Sequence, residues 1–583
     1  MMSASSLITF DLALQAVAAA AWIGAGVLAL RGRPSWWALA PALALTVARA
    51  GSVALLWGQG WWFAQEKVTV TLPLALAAAV IAVVFRRSGA GALTAGYAAL
   101  TGLGVTFLSG YPATPSVGLI AVAIVAGAGL VTWQAVGGSP LRSLGIGTAV
   151  AGLAGIGLAF LPPSAYDFGG GPDAHMHGMT MAGASAPAGG TVRRYTLTAR
   201  KATITLPSGR RFQAWTFDGT APGPAITATV GDTVEVTLRN ADIEPGVTLH
   251  WHGYDVPNAE DGVPGLTQKA VPPGGSFVYR FTADQAGTYW YHTHEVSDEG
   301  VRLGLYGTFV VTPRPAAGVD LTVPAHTFGG ELVTGAAPPA APPGTPVRLR
   351  LVNTDSVTRR FALAGTPYKI IAVDGRDLHG PGTVTGASLR LPAGGRYDLA
   401  FTMPAGPVAL YADGRPTAVR FGRGLPPYQD APDLDLTTYG TAEATPFGLR
   451  SRFDRRFTLV LDRGLALVDG IPQYAQTVNG LGYPRIPAQV VREGDLVMFT
   501  VVNRSLDTHP WHLHGHHVLV LSKDGRAPTG APLWLDTFEV RPGEVWQVGF
   551  RADNPGMWMN HCHNLAHADQ GMMLHLMYAP DMP

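Results

Sequence analysis

Three times between residues 231 and 503 the chain runs from a glycine to an asparagine nine residues later: "GDTVEVTLRN" (231–240), "GTPVRLRLVN" (344–353) and "GDLVMFTVVN" (494–503). Between those ends stand alternating or continuous β-branched and apolar residues, the pattern of a strand. A second element follows each: "PGGSFVYRF" (273–281), "AGGRYDLAF" (393–401) and "PGEVWQVGF" (542–550). In these, Gly274, Gly394 and Gly543 each precede a phenylalanine by seven residues. A unit repeated three times, poor in helical period and dense in turn residues, predicts three tandem β-sandwich or barrel domains near 193–313, 318–440 and 450–580.

The first part of the chain obeys a different pattern. Residues 1–162 are almost entirely apolar, in runs near 8–30, 36–58, 69–85, 90–109, 117–136 and 143–162. Each is close to the ~20 residues that a bilayer-crossing helix needs. This predicts an α-helical transmembrane domain of six helices. A cleaved signal peptide fits poorly, because no basic segment precedes the first run and five more runs follow it. Arg31, Arg33, Arg86, Arg87 and Arg142 fall in alternate loops (31–35, 86–89 and 137–142), whereas the opposite loops are assigned only Glu66 and Lys67. The positive-inside rule then places both ends of this unit outside, which predicts a multi-pass protein of the cell membrane with everything after residue 162 extracytoplasmic. Asp11 and Arg49 lie within the spans and read either as an ion pair between helices one and two or as a quinol or ion site. No histidine precedes His175, which excludes a histidine-ligated haem in this unit. Residues 163–192 read as a Pro/Gly-rich linker. Its "HMHGMTM" (175–181) is either plain linker or a set of soft ligands suited to Cu(I).

Net charge is +1, so composition points to no nucleic-acid partner. The single cysteine, Cys562, excludes an intrachain disulfide, a cysteine-based zinc ribbon and a cysteine-held iron–sulfur cluster. It stands in the third recurring element. "AGTYWYHTH" (286–294) in the first domain aligns with "PGMWMNHCH" (555–563) in the third, so His292 matches His561, Thr293 matches Cys562, and His294 matches His563. The middle domain has "AGPVALYADG" (405–414) at this place and is expected to hold no metal ligand. In a strand, alternate side chains share a face, so His561 and His563 point one way and Cys562 the other. One strand can thus serve two metal sites. On the thiolate side, His509, His567 and Met572 complete the soft ligand set of a blue, type 1 copper site. On the imidazole side, four His-x-His pairs (His250 and His252, His292 and His294, His512 and His514, His561 and His563) suit a three-copper cluster between the first and third domains. His326, His379, His516, His517 and His575 lack such a paired context and read as structural or surface residues.

"HWHG", "HTH", "HPWHLHGH" and "HCHNLAHADQGM" resemble the four copper motifs of three-domain, laccase-like multicopper oxidases, over residues 193–580. The resemblance implies cupredoxin-like domains and four copper ions. It assigns type 1 copper to His509, Cys562, His567 and axial Met572, and type 2 to His250 and His512. The type 3 pair falls to His252, His292 and His563 on one ion and to His294, His514 and His561 on the other. It further implies that a phenolic, amine or metal-ion reductant gives up single electrons, which pass from Cys562 through His561 and His563 and reduce dioxygen to water. Asp261 matches an acid that the family often carries beside the cluster, or else it is a turn residue of "EDG". There is one departure. Several bacterial relatives have glutamate directly after the last type 1 histidine, where this chain has Ala568, and Asp569 points the other way if the chain is extended there. Two other readings are a copper nitrite reductase, which needs only type 1 and type 2 copper, and a copper-binding or delivery protein, for which the full set would be surplus.

Overall fold

The structure is a computed structural model that describes residues 2–33, 36–159, 190–313, 318–335 and 337–579. The expected linker, including "HMHGMTM", lies outside the described residues up to position 189.

Each Gly-to-Asn segment becomes an inner strand. Thr233–Asn240, Pro346–Asn353 and Leu496–Asn503 run parallel to the strands that open their units: Val192–Thr205, Val319–Phe328 and Arg455–Val468. On their other edge they pair antiparallel with the phenylalanine-bearing strands Ser276–Thr282, Arg396–Thr402 and Val545–Arg551. A second sheet faces each of these, giving sheets of four and four, six and four, and six and five strands. Aliphatic and aromatic residues fill the space between facing sheets, with one core in the first unit and another continuous through the second and third. The three inner strands differ in how their outer faces are covered. Thr233–Asn240 alternates between buried and part-exposed residues, whereas Leu496–Asn503 is buried throughout. Val497, Phe499 and Val501 of the latter face the sandwich core. Leu496 and Met498 are covered by Phe447 and Phe453, and Val502 by the helical unit.

Among the described residues six helices are long and apolar enough to cross a membrane: Ala4–Leu30, Trp36–Gln59, Trp61–Val84, Ala90–Leu108, Pro115–Ala135 and Arg142–Ala159. The third begins well before the expected position 69. Glu66 and Lys67, expected in a loop, therefore lie inside it and are buried, next to a π-helical turn at Lys67–Thr71. Their charges are matched within a buried group of four, which makes this burial tolerable: Lys67 donates to Glu66, and Arg504 of the third β unit pairs with Glu66 at 3.0 Å and with Asp462 at 3.3 Å. Asp11 and Arg49 form the expected ion pair between helices one and two, at 3.5 Å. Ser52 donates to Asp11, and Arg49 donates to Thr71.

The helical unit docks on the third β unit through Leu7, Ile8, Leu56 and Phe63, which pack on Val460 and Val502. Gly543 (φ +79°) sits where a Cβ would lie 2.4 Å from the backbone nitrogen of Ser5, so the two units approach closely only because this residue lacks a side chain. All these contacts lie at the helix ends remote from Arg31, Arg86 and Arg87.

Candidate metal centre

Strand pairing sets the histidines face to face. In the first unit His250 lies opposite His292, and in the third His512 lies opposite His561 while Trp511 lies opposite Cys562. Residues directly opposite share a face of the sheet, so each unit presents a patch of imidazoles. His294, His514 and His563 follow just past the ends of their strands. The two patches meet. His250 stacks on His514 with ring centroids 3.8 Å apart, and His252 on His512 at 3.9 Å. The His563 ring lies 4.5 Å from His252 and 5.6 Å from His292. Ligand atoms of His294, His514 and His561 fall within 4.8 Å of one another, as do those of His250, His512 and His514. All eight expected histidines are thus brought together.

Their hydrogen bonds leave one nitrogen of most rings aimed inward. Nδ1 of His292, His512 and His561 donates to the backbone oxygens of Thr293, Asp536 and Cys562, which frees the Nε2 lone pair. Nε2 of His250, His292, His294 and His512, Nδ1 of His252 and both nitrogens of His563 are buried without a hydrogen-bond partner among the described residues. One such orphan costs about 1–3 kcal/mol. A whole cluster of them fits a metal site and little else. Burial drives His252, His292, His294, His512, His514 and His563 well below the usual imidazole range, and His561 to about 4. Neutral imidazole is the form that binds metal.

Cys562 points to the opposite face. Its Sγ lies 3.6 Å from Nδ1 of His509 and 3.8 Å from Nδ1 of His567, and these two nitrogens are 3.2 Å apart. Burial pushes the thiol up, so a bound metal must displace its proton. The register pairs His561 with Met573, which sets Cys562 against Met572, whose carbonyl accepts the Cys562 N–H at 3.1 Å. Met572 is buried on the thiol side, whereas Met573 is half-buried and shares the side of His561. His567 sits in a short helix, Leu565–Asp569, rather than in extended chain, so the strand argument about the direction of Asp569 does not apply. Asp569 is exposed.

Two family models described as multicopper oxidase match residues 198–316 and 464–582, the segments that carry every one of these side chains. "Multicopper oxidase MmcO" of Mycobacterium tuberculosis is 30% identical over 458 residues, covering 68% of this chain and 89% of that protein. The chain is a multicopper oxidase. "Laccase-1" of Botryotinia fuckeliana is 28% identical and covers 61% of this chain and 77% of its own. The crystal structure of a multi-copper oxidase from Pseudomonas thermotolerans superimposes with a TM-score of 0.54 at 28% identity, over 67% of this chain and all of that one. The β units are accordingly cupredoxin-like, the protein is an oxidoreductase, and the family's four copper ions suit the clusters described above.

Asp261 of the oxidase is fully buried behind these rings. Its carboxylate accepts from Nδ1 of His514 at 3.0 Å and of His250 at 3.1 Å. It also follows the short turn Asn258–Glu260, so the turn reading and the cluster reading describe one residue. Groups that orient metal-binding imidazoles are typically worth 10–100-fold in metal affinity or activity. Asp261→Ala should therefore lower copper retention or oxygen uptake by about that factor. Copper per chain after dialysis, measured beside the uptake rate, checks this; unchanged values would leave Asp261 a turn residue only.

Several site residues escaped the sequence reading. Thr537 Oγ1 lies 3.1 Å and the Asp536 carboxylate 3.3 Å from Nε2 of His252. Asp536 is clamped by Arg396 of the middle unit, which donates to it at 2.7 Å and also pairs with Asp374 at 3.6 Å. Gly394 (φ +84°) borders the rings so closely that a Cβ would lie 2.8 Å from His252. The middle unit brings no histidine to the cluster, but it walls the cluster on one side. The recurring element "AGGRYDLAF" marks Gly394 only as a turn before a strand, and "WLDTF" belongs to no repeat, so neither announces a place beside the cluster.

Proposed function

We propose that this oxidase is held in a membrane by its six N-terminal helices, with its three β units (193–313, 318–440 and 450–580) outside the cytoplasm. There it oxidises small phenolic or amine reductants, or reduced metal ions, at the expense of dioxygen. In this reading type 1 copper is held by His509, Cys562, His567 and Met572, and type 2 by His250 and His512. The type 3 pair is held by His252, His292 and His563 on one ion and by His294, His514 and His561 on the other. When bound, copper supplies one-electron oxidation on the thiol side and four-electron reduction of dioxygen to two waters on the imidazole side. The observation that carries the reading is one short strand end, with Cys562 among His509 and His567 on one face and the eight-imidazole cluster on the other. Peptide bonds link Cys562 directly to His561 and His563, so electrons cross between the faces along a short covalent path. Asp261 holds the His250 and His514 rings by accepting their Nδ1 protons. Buried Trp290 and the middle unit's Gly394 keep water from the His252 side.

Support for membrane anchoring comes from helix length and from the arginines. The third β unit docks on the helix ends opposite Arg31, Arg86 and Arg87, as the positive-inside rule requires of an extracytoplasmic domain. Oxygen uptake with a panel of phenols, Cu(I), Fe(II) and Mn(II) tests the chemistry, and no uptake with any of them would remove it. Protease added to intact spheroplasts should release the oxidase region; protection until the membrane is breached would reverse the topology.

A further inference from the structure

The seam between the helical unit and the third β unit encloses a recess of about 90 Å³. Ile8, Leu12, Phe63 and Phe107, from three helices, line its apolar side. Lys67 of the third helix and Asp462, Arg463, Arg504 and Ser505 of the β unit line its polar side. The helical wall lies outside both segments matched by the oxidase family models. Arg504 is fixed there by Glu66 of the third helix at 3.0 Å and by Asp462 at 3.3 Å.

The recess reaches one metal site through a single side chain. Ser505 Oγ lies 2.8 Å from Nε2 of His509, whose Nδ1 faces Cys562. Around it, Leu506, Tyr474 and Phe107 remain 57%, 42% and 41% exposed among the described residues, a largely apolar rim with the Arg463 guanidinium over the Tyr474 ring. The helix ends that form the wall are those placed at the outer membrane surface, so the rim stands at the level where a bilayer meets water.

We propose that this recess binds a lipid-soluble hydroquinone, which enters from the bilayer and is oxidised beside Ser505 and His509. The proposal rests on the oxidase and topology readings above. A cavity of about 150 Å³ is known to hold benzene. The enclosed room here therefore takes the hydroxylated edge of a ring, while the remainder and its tail lie along Phe107 and Leu506. Arg504 donates to one ring oxygen, and the Asp462 carboxylate accepts from a hydroxyl and takes its proton. Burial raises the Asp462 carboxyl above its ordinary range despite Arg504, which makes it a stronger base than an exposed aspartate. Each hydroquinone gives up two electrons and two protons to become a quinone. Two hydroquinones and one dioxygen yield two quinones and two waters, so electrons and protons balance without a further reductant.

The test uses the full-length, copper-loaded protein in lipid nanodiscs, with a hydroquinone bearing a ten-carbon tail, the same ring without a tail, and ferrocyanide. Leu12→Trp fills the recess from the helical side, and Leu506→Asp places a charge on its exposed rim without touching a core. Either change should raise KM for the tailed hydroquinone at least about tenfold, equivalent to a loss of ~1.4 kcal/mol of binding. kcat and the ferrocyanide rate should stay unchanged. Saturable binding of the tailed quinone, read by equilibrium dialysis with radiolabel, should weaken in parallel. If both variants leave the tailed KM and quinone binding at wild-type values, or if tailed and tail-free rings behave alike, the seam is not the site. A wild-type protein that consumes oxygen with ferrocyanide but binds no quinone would sink this proposal alone. One that consumes no oxygen with any of the three reductants would sink the oxidase reading beneath it.

Discussion

Cys562→Ser should remove the intense blue absorption and lower turnover below detection, while copper bound by the eight histidines stays in place. The thiol is fully buried, 3.6 Å from His509 and 3.8 Å from His567, on the face away from the imidazole cluster. A hydroxyl keeps the shape but removes the soft thiolate that a type 1 site requires. None of the cluster's inward nitrogens uses the sulfur as a partner, and the His561 ring is steered by the backbone oxygen of residue 562, which serine retains. The loss should therefore be confined to one of the family's four copper ions. Copper analysis, visible absorption and electron paramagnetic resonance on the same sample check this. A variant that keeps the wild-type band would remove the type 1 assignment; one that loses all its copper would show that the two faces do not bind independently.

The second large effect falls on a residue that touches no expected metal ligand. Arg396 is fully buried in the middle unit, donating to Asp536 at 2.7 Å and to the backbone oxygen of Thr288 at 3.0 Å. Arg396→Met should destabilise the protein by about 3–5 kcal/mol, because Asp536 and Asp374 are then left as buried, unpaired carboxylates. It should also lower the copper count, since Asp536 is in contact with His252 and His512. Arg194→Met, which breaks the surface pair with Glu235, should change stability little, because exposed ion pairs are screened by water. Thermal unfolding of both variants, with copper per chain, gives the comparison. Equal stability would mean that the three-way junction is not what holds the cluster together.

The strands were legible because side chains alternate along any extended chain, whichever sheet it joins. That rule separated Cys562 from His561 and His563, and repeat register pointed to a middle unit with no histidine in its third element, "AGPVALYADG". It also failed where the chain is not a strand. Leu565–Asp569 coils into a helix, so alternation said nothing about Asp569. Glu66 and Lys67, expected in a loop before an apolar run starting near 69, lie inside the third helix. They pair with each other, and Arg504 and Asp462, remote in the chain, complete the neutral group that keeps them inside a helix.

Taken alone, the amino-acid order determined everything set by local geometry: three strand repeats, six apolar helices, four His-x-His pairs and a thiol on the reverse face. Tertiary structure alone decided which residues stand behind those ligands. Asp536, Arg396 and Gly394 are common residue types that acquire their roles from partners in another unit, and Ser505 and Asp462 acquire theirs where the helical unit docks. Strand alternation acts between neighbouring residues and leaves a periodic trace in the sequence. A buried ion pair or a close backbone approach acts between distant segments, and leaves none until the units have packed.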